Sequence, residues 1–278
     1  MAIVLDGKSL AAAIREKVKD RAARLSPPLG LAVILVGDDP ASHVYVGLKK
    51  RACEEAGIRF EQFSYPADVA EHVLHEKIAE LNACADVDGI LVQLPLPAQD
   101  ADRVIAGIDP AKDVDGFHPE NAALCAAGKP CLAPPVHLGI LKLIEATGQD
   151  VSGKKAVLVG SDLFSSPLAS LLKERSVTSE IVSPNAPHLV ERCRTADILV
   201  TAVGRPGLIT SQLLKPGAIV IDVGTTKSGK SVVGDVDRTS ADPVAGWVSP
   251  VPGGSGPLTV AYLLLNVLKA RELNKTAR

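Results

Sequence analysis

The sequence predicts an α/β protein of two α/β domains, the second a Rossmann-like doubly wound parallel sheet, with an active-site cleft between them. Three observations predict this class. Unbroken apolar runs such as residues 31–36 and 156–159 end at turn residues, which is typical of strands buried on both faces of a parallel sheet. Segments with apolar residues at helical spacing separate these runs. Aromatic residues make up only 3% of the 278-residue chain, so aliphatic side chains must supply most of the core.

Charge and composition exclude several kinds of partner. Lys and Arg number 30 against 32 for Asp and Glu, so we expect no binding of nucleic acid or of an anionic membrane surface. No apolar stretch reaches the roughly 18 residues that a membrane span needs, and the N-terminus lacks the apolar core of a signal peptide. We therefore expect a cytoplasmic protein whose five cysteines are reduced and mostly buried.

Turn and cap signals place the first elements. A first helix ends at the proline-rich residues 26–30, ahead of the strand at 31–36. Asp39 is then a predicted N-cap, with Pro40 at the first position of a helix that stops near residue 57. The predicted apolar stripe of this helix is Val44, Leu48, Ala52 and Ala56.

Tyr45 and Lys49 lie one turn apart on the same side of that helix. A phenol beside a flexible cation, just past a strand end, suits an aromatic ligand with a proton to move. A half-buried tyrosine beside a solvated lysine explains such a pair more often. The pair alone therefore favours the ordinary helix surface.

A strand over residues 58–65 and a helix over 69–83 precede the run Asp-Gly-Ile-Leu-Val-Gln-Leu-Pro-Leu-Pro at residues 88–97. Gln93 is predicted to emerge at the carboxyl end of this strand, where open α/β sheets bind ligands. The alternative is that Gln93 only satisfies a neighbouring backbone group.

Residues 112–119, Lys-Asp-Val-Asp-Gly-Phe-His-Pro, pack two acids into a turn. Alternation points Asp113 and Asp115 the same way, but a hard cation wants more oxygen ligands than this loop offers, so we expect no metal site. A carboxylate that accepts paired N–H groups from an aminated heterocycle is the simpler function. An ordinary Asx-type turn explains the loop equally well.

Strand and helix patterns alternate in the second half of the chain, which predicts a βαβ repeat. A helix over residues 136–146 precedes about four parallel strands, at residues 155–159, 177–182, 197–203 and 218–222. Turns at residues 204–207 and 222–225 follow two of these strands, where nicotinamide and ribose would lie. An α/β domain that binds no nucleotide remains the alternative.

Several motifs in register carry a family resemblance. They are Gly-x-x-Pro-x-Ser leading to Tyr-Val-x-x-Lys at residues 37–49, the run at 88–97, Lys-Asp-Val-Asp-Gly at 112–116, Gly-Ala-Ile-Val-Ile-Asp-Val-Gly at 217–224, and Pro-Val-Pro-Gly-Gly-Ser-Gly-Pro-Leu-Thr at 250–259. Together they closely resemble the bifunctional methylenetetrahydrofolate dehydrogenase/cyclohydrolase family. The resemblance spans almost the whole chain.

The resemblance implies roles for a first set of residues. Lys49 would be the catalytic cation, with Gln93 hydrogen-bonded to it and setting its protonation state. Tyr45 would stack on the folate, and Asp115 would anchor the amino-pyrimidine edge of the pterin. The loop residues Pro252, Gly253 and Gly254 would flank folate and nicotinamide.

The resemblance also implies an organisation. Residues 1–120, joined by the C-terminal helix 257–278, would be the folate-binding catalytic domain, and residues 121–256 the NAD(P)-binding domain. The implied cofactor is NADP and the implied assembly is a homodimer. The cofactor-binding residues carried over are Gly160, Ser161, Asp162, Gly204, Gly224 and Thr225.

Two stretches depart from the family. Its phosphate loop reads Gly-Arg-Ser-x-Ile-Val-Gly-x-Pro, whereas residues 160–167 read Gly-Ser-Asp-Leu-Phe-Ser-Ser-Pro, without the arginine or the second glycine. Asp162 stands where a cation would pair with the 2′-phosphate of NADP, and residues 183–185 offer none. His137 lies where the family has Pro-Cys-Thr-Pro-x-Gly, and a solvated or capping histidine is the favoured interpretation.

Three functions follow. The first is the complete bifunctional enzyme that uses NADP. The second is a divergent relative that retains cyclohydrolase chemistry with weak, NAD-preferring or absent dehydrogenase activity. The third, a non-catalytic folate-binding protein, is disfavoured because the proton-transfer residues are all retained.

Overall fold

A computed structural model describes residues 1–229 and 231–276 of the chain. The chain folds as two compact units, each described separately. Among the described residues, the six-stranded unit comprises Met1–Leu10 and Val136–Thr259, and the three-stranded unit comprises Ala11–Pro135 and α10 from Val260 to its last described residue. Residues 277 and 278 of the predicted final helix lie outside the described residues.

Strands and helices alternate along both units. In chain order the strands are β1 Ile3–Val4, β2 Gly30–Val36, β3 Arg59–Tyr65, β4 Gly89–Val92, β5 Lys155–Val159, β6 Thr178–Val182, β7 Ile198–Thr201, β8 Ile219–Asp222, β9 Thr226–Ser228, β10 Ser231–Val233 and β11 Trp247–Val248. The helices are α1 Gly7–Ala22, α2 Pro40–Glu55, α3 Glu71–Ala83, α4 Ala101–Ala106, α5 Pro119–Ala126, α6 Pro135–Glu145, α7 Asp162–Lys173, α8 Leu189–Cys193, α9 Arg238–Ala241 and α10 Ser255–Thr276. Across the described residues, no helix is both long enough and apolar enough to cross a membrane.

The three-stranded unit is built on a parallel sheet of order β3-β2-β4. Every residue of β2 is buried, which confirms the expectation of strands covered on both faces. Alternate residues of β2 belong to two different cores. Leu31, Val33 and Leu35 pack with residues of α1, α2 and α10, whereas Ile34 and Val36 pack with α3 and α4.

Helix α2 begins as predicted, since the Asp39 side chain accepts a hydrogen bond from the Ser42 N–H. Its predicted apolar stripe is right at Ala52 and Ala56, which are buried, and wrong at Val44 and Leu48, which are 62% and 45% exposed. The buried face instead carries Val46, Lys49 and Cys53. A charged residue at an inward position misled a pattern that counts only apolar side chains.

The six-stranded unit has a parallel sheet of order β1-β11-β8-β7-β5-β6. The prediction of about four parallel strands recovered β5 to β8 and missed the other two. Strands β1 and β11 have two residues each, which is too short for a periodic hydrophobic signal.

The predicted reduced state of the cysteines is wrong for Cys125 and Cys131, which form a disulfide with Cα atoms 5.4 Å apart. Cys125 lies in the last turn of α5, and the chain folds back after that helix to bring Cys131 beside it. Cys53, Cys84 and Cys193 are free thiols, as expected.

Candidate active site

Lys49 is the charged residue on the inward face of α2, and it is only 8% exposed. Its Nζ donates a hydrogen bond of 2.9 Å to Oε1 of Gln93, the first residue after β4. The Gln93 amide nitrogen donates in turn to the Leu94 carbonyl at 2.7 Å, which turns Oε1 toward the lysine. The predicted hydrogen bond is therefore present, and the alternative of a solvated lysine is wrong.

The electrostatics of this pair suit proton transfer. Burial lowers the pKa of Lys49, and the negative charge of Asp115 opposes that shift. Burial likewise raises the pKa of Asp115, opposed by the positive charge of Lys49. Gln93 holds the ammonium with a neutral acceptor, so the lysine is positioned without a full countercharge against it. A lysine in this environment can release and recover a proton closer to neutrality than a free one.

The two acids of the 112–119 loop have different surroundings. Asp113 is buried and accepts hydrogen bonds from the backbone of Gly116 at 3.1 Å and His118 at 2.8 Å, and from the Asn121 amide at 3.2 Å. The Asx-type turn therefore describes Asp113. Asp115 has no such partners among the described residues, and its carboxylate interacts electrostatically with Lys49.

Tyr45 is 37% exposed, one turn before Lys49 on α2. Its partly exposed ring is available to an aromatic ligand, and it also fits the half-buried tyrosine of the alternative.

Sequence reasoning missed the residues that fix the Asp115 loop. Asn266 on α10 donates to the carbonyls of Val114 and Ala133, both at 2.9 Å. Lys112 donates to three carbonyls at the end of α3 and just beyond it. A detectable signal was the asparagine itself, since an amide inside an apolar helical stretch needs buried partners.

The predicted cofactor residues lie at the carboxyl ends of strands in the six-stranded sheet, and this end of the sheet is called the sheet edge below. Gly160, Gly204 and Gly224 come just after β5, β7 and β8, whose carboxyl ends lie side by side. Two of these positions require glycine. Gly204 has a φ of +71°, and a Cβ on Gly224 would lie 2.3 Å from the Asp235 carboxylate.

Asp235 is a buried residue that the sequence did not single out, and it fixes this edge. Its carboxylate accepts hydrogen bonds from the Val203 N–H at 2.8 Å, the Arg205 N–H at 2.7 Å and the Thr201 hydroxyl at 2.9 Å. The turn after β7 is therefore held to the body of the unit.

The start of α7 fits a phosphate-bearing cofactor. Ser161 is its N-cap, and Asp162 is exposed in the first turn. The Ser165 hydroxyl is buried without a hydrogen-bond partner among the described residues, and lies 3.4 Å from the position of a Cβ on Gly160. Free N–H groups of a helix N-terminus and an unpaired hydroxyl are the donors that a phosphate uses.

The loop at Pro252, Gly253 and Gly254 reaches the same sheet edge. Gly254 N–H donates to the Pro250 carbonyl at 2.7 Å, and α10 begins at the next residue. The Ser255 hydroxyl donates to the carbonyl of Asp222, the last residue of β8, at 3.4 Å. The loop is thus placed beside the turn that carries Gly224 and Thr225.

The interpretation of His137 as solvated or capping is wrong. Its side chain is 0% exposed on α6, and its ring meets the Phe164 ring edge-on at 5.0 Å. Neither ring nitrogen has a hydrogen-bond partner within the described ranges. Burial lowers the pKa of His137 to about 4, with the Phe164 backbone opposing the shift. Both departures from the family pattern therefore meet in one packing contact.

These two sites define a class. A doubly wound parallel sheet with glycine turns at its carboxyl edge is a dinucleotide-binding fold, and a buried, amide-bound lysine is a proton-transfer centre. A chain that carries both belongs among the nicotinamide-dependent oxidoreductases with a further proton-transfer activity.

Comparison with known proteins identifies the family within this class. Residues 5–115 match the catalytic domain, and residues 134–275 the NAD(P)-binding domain, of tetrahydrofolate dehydrogenase/cyclohydrolase. A Nitratidesulfovibrio vulgaris protein named Bifunctional protein FolD is 48% identical, over 96% of each chain. The chain belongs to the tetrahydrofolate dehydrogenase/cyclohydrolase family, and the predicted bifunctional enzyme is confirmed.

Solved structures agree with this assignment. The bifunctional dehydrogenase/cyclohydrolase of Campylobacter jejuni superposes with a TM-score of 0.94 at 37% identity, covering 99% of this chain and 100% of that one. The Trypanosoma brucei dehydrogenase-cyclohydrolase, solved with NADP and an inhibitor, gives 0.94 at 33% identity, covering 99% and 98%. The predicted fold class is confirmed.

Proposed function

We propose that this enzyme oxidises 5,10-methylenetetrahydrofolate to 5,10-methenyltetrahydrofolate with NADP, and hydrolyses the product to 10-formyltetrahydrofolate. The observation that carries the proposal is the buried Lys49–Gln93 hydrogen bond, supported by the charge of Asp115. Its place in metabolism is the supply of one-carbon units, including those for purine synthesis.

In the hydrolytic step, water adds to the methenyl carbon and loses a proton. Lys49, whose pKa burial lowers, takes that proton in its neutral form. The bond from this carbon to N5 then breaks as the remaining hydroxyl proton passes to solvent, and Lys49 returns the first proton to N5, which leaves the formyl group on N10. Gln93 keeps the lysine nitrogen aimed at the reacting atoms throughout.

In the oxidative step, the nicotinamide ring of a bound cofactor would accept the hydride that leaves the methylene carbon. The residues proposed to hold the cofactor are Gly160, Ser161, Asp162, Gly204, Gly224 and Thr225 at the sheet edge. NADP is the proposed cofactor because the Trypanosoma brucei relative was solved with it.

The folate would be oriented by groups around the lysine. Tyr45 presents a partly exposed ring for stacking, and the Asp115 carboxylate has no hydrogen bonds among the described residues that would compete with an amino-pyrimidine edge. Pro252, Gly253 and Gly254 are proposed as further substrate contacts. We assign the folate to residues 1–120 with 257–278, and the cofactor to residues 121–256.

A second function is favoured by one observation. Asp162 is exposed in the first turn of α7, where its charge opposes a 2′-phosphate. The second function is a cyclohydrolase with weak, NAD-preferring or absent dehydrogenase activity. Absorbance assays of methylenetetrahydrofolate with NADP and with NAD, and of methenyltetrahydrofolate hydrolysis, separate the two. Hydrolysis without NADP-dependent oxidation would establish the second, and absence of both activities would refute both.

We also propose a homodimer located in the cytoplasm. The homodimer rests on family habit, and equilibrium sedimentation of the purified chain tests it. The cytoplasmic location rests on the role in one-carbon supply, and the Cys125–Cys131 disulfide is the observation against it. Cell fractionation with an antibody to the chain tests the location.

A further inference from the structure

The phosphate loop lacks the arginine of its family, but the folded chain brings another arginine to the same edge. Arg205, in the turn after β7, donates a hydrogen bond of 2.6 Å from Nη1 to Oδ1 of Asn185, which follows β6. We propose that Arg205 is the cation that pairs with the 2′-phosphate of NADP and so sets the cofactor preference. This inference rests on the proposed use of NADP.

The strand order places this side chain across the phosphate loop. Strands β7 and β6 flank β5 on either side, and neighbouring strands are about 4.8 Å apart. A side chain that starts after β7 and ends beside Asn185 therefore spans the carboxyl end of β5, where Gly160 begins the loop. In doubly wound sheets the strand after the phosphate-binding helix ends near the adenosine ribose, whose 2′ position carries the extra phosphate.

The turn holds Arg205 in place without using its charge. The buried Asp235 carboxylate accepts the Arg205 N–H at 2.7 Å and the Val203 N–H at 2.8 Å, which fixes the base of the side chain. Asn185 is a neutral partner at the tip. Within the part of the chain that the structure describes, no carboxylate forms an ion pair with Arg205, so its charge is available to an anion.

Arg205 also accounts for how a loop bearing an acid can serve NADP. Asp162 repels a 2′-phosphate from the α7 side, and a guanidinium on the β6 side attracts it. A bidentate arginine–phosphate pair is stronger and more directional than the repulsion from an exposed carboxylate. The preference for NADP therefore depends on Arg205.

Calorimetric binding of adenosine 2′,5′-bisphosphate and of ADP to the full-length protein tests this without catalysis. The arms are the unaltered chain, Arg205→Gln, Arg205→Lys, and the control Arg194→Gln. Arg194 precedes β7 in the chain, at the end of α8, and its side chain donates to the Gln212 carbonyl. We expect Arg205→Gln to weaken the 2′,5′-bisphosphate by about tenfold or more, or about 1.4 kcal/mol, and ADP by less than about twofold. Arg205→Lys should recover part of the loss, and Arg194→Gln should change neither affinity.

Equal weakening of both ligands by Arg205→Gln, or no weakening of either, would overturn the assignment. Thermal unfolding of each variant shows whether it is folded. If Arg205→Gln is not, the affinities of Arg205→Lys for the two ligands are compared with those of the unaltered chain instead. Assays of methylenetetrahydrofolate oxidation keep the two proposals distinct. If the unaltered chain oxidises the folate with neither NADP nor NAD, the dehydrogenase proposal fails, while the selective loss of 2′,5′-bisphosphate binding would still establish Arg205.

Discussion

Each unit of this protein buries a nitrogen base, and the two bases have different surroundings. In the three-stranded unit, Lys49 is hydrogen-bonded to Gln93 at 2.9 Å and interacts electrostatically with Asp115. In the six-stranded unit, His137 is fully buried, packs on Phe164, and has no hydrogen bond from either ring nitrogen among the described residues. Burial lowers the pKa of both groups.

The contrast separates a base that can act from one that only packs. A partner that favours neither charge state too strongly lets Lys49 exchange protons, whereas His137 has no group to exchange with and stays neutral. The two regions also differ in how closely their sequences follow the family pattern. The lysine centre keeps the family's residues, while His137 and Phe164 both depart from the family pattern and contact each other.

The largest effect is expected for Lys49→Met, which removes the active base while keeping an apolar stem in place. Methenyltetrahydrofolate hydrolysis should fall by about 10³-fold or more, within the range of general acid–base catalysis. The control is Lys50→Met, at the exposed neighbouring lysine that pairs with Glu54. Near-normal hydrolysis by Lys49→Met, with the Lys50 variant equally active, would refute the role of Lys49.

His137, the base that only packs, should affect how the free energy of unfolding depends on pH. His137 has a pKa of about 4 in the fold against the ordinary 6.5, so between those values the unfolded chain binds the extra proton. Stability is therefore full above pH 6.5 and falls as pH drops toward 4, by about 3 kcal/mol. His137→Leu should abolish this pH-dependent part and stay within about 1.5 kcal/mol of the unaltered chain at pH 7.

Urea unfolding at pH 7 and pH 4 of both proteins measures the difference. His72→Leu is the control, since that histidine lies exposed at the start of α3. If stability falls equally on acidification with and without His137, the ring takes up a proton as readily in the folded chain as in the unfolded one. The contrast with Lys49 would then be lost.

Much of the fold was predictable because aliphatic strands and turn residues carry strong local signals. The bounds 155–159 of β5 and the Asp39 cap of α2 came directly from such signals. The two-residue strands β1 and β11 did not, because their pairing depends on distant partners. The Cys125–Cys131 bond was missed because five cysteines without a C-x-x-C pair indicated reduced thiols.

The candidate site likewise has a part that the sequence predicted and a part that it did not. Family motifs supplied Lys49 and Gln93, and the contact between them followed. The apolar stripe of α2 went wrong at the same place, because the inward position held the lysine. Arg205 near Asn185 and Asp235 under the β7 turn are contacts between segments 20 and 30 residues apart, which no local pattern encodes.

Gln93→Glu gives the active base, Lys49, a charged partner in place of a neutral one. A carboxylate beside Nζ favours the ammonium form and raises the pKa of Lys49. Hydrolysis near neutrality should fall by about 10–100-fold, and the rising limb of the pH–rate profile should move to higher pH. Gln62→Glu, at an exposed position on β3, is the control. A fall in rate without any displacement of the profile would mean that Gln93 only positions the lysine.

The smallest effect is expected for Asp162→Asn at the start of α7, where the chain departs from its family. Removing the exposed charge should raise the ratio of kcat/KM for NADP over NAD by about two- to fivefold, the scale of a surface charge interaction. It should also lower the thermal stability slightly, by about 0.3–1 kcal/mol, because an acid in the first turn favours the helix dipole. Glu174→Gln, at the other end of α7, removes the same charge away from the cofactor edge and should leave the ratio unchanged. If both variants shift the ratio equally, the cause is the net charge of the unit, and Asp162 loses its part in cofactor choice.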